Sequence, residues 1–139
     1  MKLTFYGGAK SVTGANYLLE TGDKGQETRI LIDCGLVQGK GFCELGNWDK
    51  FKYDPSSVSA VFVTHSHIDH IGKLPKLYKE GFRGKVFSTP PTKDFAELML
   101  LDSDHILATE SERCKKPSIY NEQDINNVVK LWETVDYHE

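Results

Sequence analysis

The run Ser59-Ala60-Val61-Phe62-Val63-Thr64 passes without a spacer into His65-Ser66-His67-Ile68-Asp69-His70. A nearly continuous apolar stretch of this length reads as a strand buried on both faces. Beyond it, Ile71, Leu74, Leu77 and Tyr78 recur at helical spacing, with Pro75 restricting how that helix starts. Three imidazoles and a carboxylate therefore fall between a strand end and a helix. Burying such groups unpaired is costly, so their concentration points to metal coordination. Residues two apart in an extended turn project to the same side, which lets His65 and His67 reach one metal. Asp69 and His70, where the chain bends into the helix, reach a neighbouring one. Mixed nitrogen and oxygen donors suit zinc.

The rest of the chain sets this loop in an α/β layered domain. Leu3 to Tyr6, Asn16 to Glu20 and Arg29 to Asp33 read as short strands. Gly22-Asp23-Lys24-Gly25 reads as a hairpin turn between the second and third. Residues 36–52 carry three glycines and little periodicity, and read as a loop with room for one short helix. Lys85 to Ser88 is a further strand. Pro91 or Thr92 starts a long helix whose apolar positions are Phe95, Leu98, Met99, Leu101 and Ile106. Asn121 is the N-cap expected for a last helix carrying Ile125, Val128, Val129, Leu131 and Trp132.

Length and charge narrow the class. With 139 residues the chain holds one domain, and 17 Lys+Arg against 20 Asp+Glu leave a net charge of −3. Bulk charge of that sign disfavours general nucleic-acid binding, but not an enzyme that cuts nucleic acid at a local site. The N-terminus lacks a signal-peptide apolar core and no apolar run is long enough to span a membrane, so a cytoplasmic location is expected. Cys34, Cys43 and Cys114 form no C-x-x-C pair, which predicts free thiols in a reducing compartment. Arg113, Lys115 and Lys116 read as a solvated loop, and Trp48, Phe51 and Tyr53 as cover for the edge of the core.

Asp33 ends an apolar strand and precedes Cys34-Gly35. An aspartate so placed either fixes the tautomer of a metal-bound imidazole or is a simple strand-end turn residue.

The segment His65 to His70, with Asp33 before it, resembles the signature of the metallo-β-lactamase superfamily. Residues 7–16, the run Ile32 to Gly39 and Ser88-Thr89-Pro90-Pro91-Thr92 resemble its β-CASP branch of RNA-processing nucleases, and the resemblance spans nearly all of the chain. It implies that residues 1–139 are a partial metallo-β-lactamase domain, the N-terminal half of an αββα sandwich. It also implies two zinc ions and RNA as substrate, with His65 and His67 on the first zinc and Asp69 and His70 on the second. Asp69 then helps orient the attacking water, and Asp33 and Asp69 are the expected catalytic residues.

The family uses more ligands than these: a further His, a bridging Asp, a later His, and an inserted domain over the RNA. His105 lies in an apolar-periodic helix without flanking glycines and reads as an ordinary helical residue; His138 reads as a strand-end residue. Two ligands per metal predict weak or partial zinc binding and no appreciable turnover by this chain alone. Leu18, Ile30, Ile32, Val61 and Val63 are expected on a sheet face lacking its partner, which predicts self-association or completion by a second-half polypeptide. Two further readings stand beside the nuclease: a non-catalytic RNA-binding or assembly module, and a small-molecule metallo-hydrolase.

Overall fold

The computed structural model describes residues 1–23, 25 and 27–137. Strands β1 (Lys2–Gly7), β2 (Asn16–Thr21) and β3 (Thr28–Ile32) form an antiparallel meander. Strands β4 (Ala60–Phe62), β5 (Lys85–Ser88) and β6 (Trp132–Thr134) extend it in parallel, so the spatial order β1-β2-β3-β4-β5-β6 is also the chain order. Parallel addition requires crossovers. Helices α1 (Ile68–Ile71) and α2 (Leu74–Lys79) lie between β4 and β5, and α3 (Pro90–Arg113) and α4 (Glu122–Val129) between β5 and β6. The α/β class expected from the sequence is what the chain adopts. The hairpin turn predicted at residues 22–25 falls partly on Lys24, outside the described residues, as does His138.

The sheet has two unequal faces. Leu18, Leu31, Val61, Val86 and Trp132 are buried together with Ile71, Leu74, Leu77, Leu100, Ile125 and Val128 from the helices. Register carries Phe5, Tyr17, Ile32, Phe62 and Phe87 across five neighbouring strands on the other face. Phe5 is 57% exposed and Phe62 44%. The apolar run at 59–64 is therefore not a strand buried on both faces: β4 is shorter, and one face is open. The five residues assigned to one face are likewise divided. Leu18, Val61 and Val63 are buried under the helices, whereas Ile30 and Ile32 are partly exposed, because Tyr17 pairs with Ile32 and Leu18 with Leu31.

Helix α3 corrects a second expectation. Its inward positions are Ala96, Leu100, Ser103, Leu107 and Ser111, while Phe95, Leu98 and Ile106 face solvent. Leu101 packs against the core as well, and small residues make up part of the buried stripe, so large apolar side chains alone do not mark the inward face. Helix α4 begins as read. The Asn121 side chain accepts from the Asp124 N–H at 3.1 Å, and the Asp124 carboxylate accepts from the Asn121 N–H at 3.1 Å. It ends at Val129, and Trp132 opens β6 instead of continuing the helix.

The cysteines correct a third. Cys43 and Cys114 form a disulfide across 71 residues, leaving Cys34 free and buried. Proximity of this kind is tertiary and has no local signature. The loop after β3 reaches the end of α3, where Trp48 Nε1 donates to the Pro117 carbonyl at 2.8 Å and Lys116 donates to the Cys43 carbonyl. Lys116 is thus engaged, its ammonium 4.7 Å from the centre of the Trp48 ring. Trp48, Phe51 and Tyr53 pack against the core edge, as expected.

Candidate metal centre

Three chain segments are stitched together beneath the histidines. Ala15 N–H donates to the Asp69 carbonyl at 2.9 Å, Gly35 N–H to the Ala15 carbonyl at 2.8 Å, and Cys34 N–H to the His70 carbonyl at 2.7 Å. Gly35 is required by this closeness: a Cβ there would stand 1.6 Å from the Asp69 carbonyl oxygen. The same turn holds Asp33 in the left-handed region, at φ 60°, a conformation Asp tolerates better than most residues.

Asp33 is 1% exposed and its carboxylate accepts three hydrogen bonds. Oδ1 accepts from the Thr64 N–H at 2.8 Å, and Oδ2 accepts from the Thr64 hydroxyl and from His70 Nδ1, each at 2.8 Å. With the Thr64 proton directed at Asp33, the Thr64 oxygen accepts from His65 Nδ1 at 3.0 Å. In the neutral rings, both His65 and His70 therefore carry their proton on Nδ1 and present the Nε2 lone pair. Thr64 was not singled out in the sequence; its only signal is its place between the strand end and the first histidine. Burial holds the His65 imidazole below its ordinary pKa, and repulsion from His70 and His67 adds to this, against attraction from Asp33 and Asp69.

The three imidazole rings form one cluster. His65 lies 4.7 Å from His67 and 3.9 Å from His70, centroid to centroid. His67 is the exposed residue at the N-cap of α1, and Asp69 stands in the first turn of that helix. His70 Nε2 and Asp69 Oδ2 are 3.6 Å apart. Two donors on one tetrahedral zinc sit about 3.3 Å apart, given bonds of about 2.0–2.1 Å. Donor type and this spacing fit a divalent cation; donor number falls short, since no three His, Cys, Asp or Glu side chains among the described residues converge on one point. His105 is exposed on α3, as an ordinary helical residue.

A groove of about 630 Å³ opens beside the cluster. His67 and Asp69 stand on one wall, Phe42 on another, and Met99, Ile106 and Arg113 of α3 opposite. Arg113 is held by Glu110 one turn earlier. Among the described residues, no helix is long and apolar enough to cross a membrane.

The sequence pattern of the metallo-beta-lactamase superfamily matches residues 12–85. Ribonuclease TTHA0252 of Thermus thermophilus is 44% identical over 103 residues, 74% of this chain and 22% of that protein. Transcription termination factor FttA of Methanocaldococcus jannaschii is 34% identical over 140 residues, 99% of this chain and 20% of that protein. Cleavage and polyadenylation specificity factor subunit 3-I of Arabidopsis thaliana is 37% identical over 112 residues, 79% of this chain and 15% of that protein. The chain spans about a fifth of the length of the curated relatives it matches. Relatives of this kind bear out the resemblance to RNA-processing nucleases of the β-CASP branch.

Proposed function

Because the chain belongs to the metallo-β-lactamase superfamily, we propose that it is the N-terminal portion of a zinc-dependent ribonuclease that hydrolyses phosphodiester bonds. One observation carries the reading: Asp33 sets His70 so that Nε2 faces the Asp69 carboxylate at a donor–donor distance suited to one cation. His65, His67, Asp69 and His70 are the side chains that hold metal in this reading, and they supply part of a ligand shell. When bound, divalent cations polarise the phosphodiester and lower the pKa of water. Asp69 helps orient that water, and Asp33 keeps the His70 proton on Nδ1. RNA is the substrate, and the groove beside His67 and Asp69 gives it access. A cytoplasmic location belongs to the same reading, and the Cys43–Cys114 disulfide is the observation that weighs against it.

The open sheet face is the surface through which the chain self-associates or receives a second-half polypeptide, since contiguous exposed apolar area marks association. A non-catalytic RNA-binding or assembly module is the second reading, favoured by the absence of a third converging donor among the described residues.

Calorimetric titration with zinc tests the first reading. The nuclease-portion reading expects weak or partial binding that His70→Ala and Asp69→Ala abolish, with no appreciable ribonuclease turnover. Zinc binding indifferent to both substitutions would overturn it, and a tight site for two metals per chain would contradict the partial-shell account.

A further inference from the structure

A second pocket, of about 210 Å³, lies between β1, the loop 45–53 and the start of α2, and contains none of the four candidate metal ligands. Its ionisable lining is Lys50, Lys52 and Lys73 against the single carboxylate of Asp49, with Tyr6 and Tyr53 as phenolic neighbours. In a chain of net charge −3 this is a local reversal of sign.

Two lysines from adjacent turns meet this region, and their situations differ. Lys76 is 4% exposed and satisfied: its ammonium donates to the Asp49 carbonyl and pairs with Glu80 at 3.5 Å. Lys73 is half-buried, yet among the described residues its ammonium has no hydrogen bond and no ion pair; it stands over the Phe51 ring, 6.0 Å from the nitrogen to the ring centre. Burial lowers its pKa, with Cys34 and Asp49 opposing that shift. A desolvated cation normally acquires an anion, because leaving it alone costs free energy. The main chain at Lys73 is anchored, since its backbone N–H donates to the Cys34 carbonyl at 2.8 Å. Asn16 and Tyr53, hydrogen-bonded to each other at 3.1 Å, add a polar floor.

We propose that this pocket is an anion site that takes a phosphate group, with Lys73 as its central cation and Lys50 and Lys52 closing on it from the rim. The pocket is too small for a whole nucleotide, so the group it receives is a free phosphate, a terminal phosphomonoester or one phosphodiester of a strand whose remainder stays outside. The assignment stands apart from the hydrolase reading, because none of its residues is a metal ligand.

The test is a titration of the chain with inorganic phosphate at constant ionic strength, followed by the amide resonances of residues 49–53 and 73. Saturable shifts are expected, absent with chloride. Lys73→Met weakens binding at least about tenfold while leaving the melting temperature unchanged or higher, since an unpaired, partly desolvated charge is removed. Lys73→Arg retains the site. The double variant Lys50→Ala/Lys52→Ala weakens binding several-fold and serves where Lys73→Met does not fold. Displacement of bound phosphate by oligouridylate assigns the site to a strand's phosphodiester; undisturbed phosphate assigns it to free phosphate or a monoester. Shifts that rise linearly without saturation, or that are the same in Lys73→Met, overturn the proposal, and neither result bears on zinc binding.

Discussion

Asp33 Oδ2 and His70 Nδ1 are 2.8 Å apart across 37 positions of sequence, and the Thr64 hydroxyl shares the same carboxylate oxygen. This is how a turn after β3 dictates which nitrogen of a histidine on α1 carries the proton.

Asp33→Asn replaces one acceptor oxygen by a donor. Where that amide nitrogen faces His70, the ring turns or changes tautomer and the Nε2 lone pair is lost. Metal affinity is expected to fall about 10–100-fold. Cobalt titration followed by absorbance measures it, and nitrogen NMR of the ring reads the tautomer. Asp33→Ala leaves the Thr64 N–H without its acceptor and is expected to cost roughly 1–3 kcal/mol of stability in urea denaturation.

Gly35→Ala drives a methyl group into the Asp69 carbonyl. Backbone cannot move aside there, because the neighbouring N–H groups of Cys34 and Leu36 are bonded to the His70 and Ile68 carbonyls. A loss of roughly 1–3 kcal/mol or more is expected, seen as a lower melting temperature, along with weaker metal binding. Unchanged stability would mean that the 33–36 turn and α1 are not packed as described.

Phe62 stacks on Phe87 at 5.3 Å on the open sheet face. Phe62→Glu is expected to shift light scattering toward monomer at micromolar concentration, at a stability cost of about 1 kcal/mol from the lost ring pair. A wild-type chain that is already monomeric there would remove the basis for self-association.

Burial pushes the Cys34 thiol from 9.0 to about 12. The unfolded chain releases this proton near its ordinary value while the native chain keeps it, so the unfolded state gains as pH rises. Stability is therefore expected to be level with respect to this group below about pH 9 and to fall toward about pH 12. Tyr53 and Tyr120 are raised by burial and act in the same direction at the alkaline end. Urea midpoints between neutral and alkaline pH check the slope, and Cys34→Ala should remove its earliest part. At neutral pH the native thiol is expected to resist iodoacetamide.

Loop closure over 71 residues predicts that the Cys43–Cys114 bond contributes about 4 kcal/mol, before allowance for structure left in the unfolded chain. Cys43→Ser with Cys114→Ser is expected to lower the denaturation midpoint by part of that amount. The Trp48–Pro117 and Lys116–Cys43 hydrogen bonds should keep the loop docked. Amide protection at Trp48 in the double variant tests this directly.

What the sequence made legible was local. The strand-to-helix passage through His65 and His70 shows in a change of period, and the cap at Asn121 in one side chain ahead of an apolar-periodic run. What stayed hidden was relational. Whether Leu18 shares a face with Leu31 or with Ile30 depends on pairing register, which strand composition does not specify. The inward stripe of α3 is built partly from Ala96, Ser103 and Ser111, while Phe95, Leu98 and Ile106 stand in solvent, so large apolar side chains do not mark the packing face. The joining of Cys43 to Cys114 and the double use of Asp33 by Thr64 and His70 exist only once distant turns meet.

The sheet's left-to-right sequence of strands repeats their order of synthesis. Among the described strands, each one after β1 thus leaves the ribosome with a neighbour already in place, and is added beside it without threading between two others. Assembly can proceed by accretion along that order, with the histidine-bearing loop added onto a base of four strands, β1 to β4.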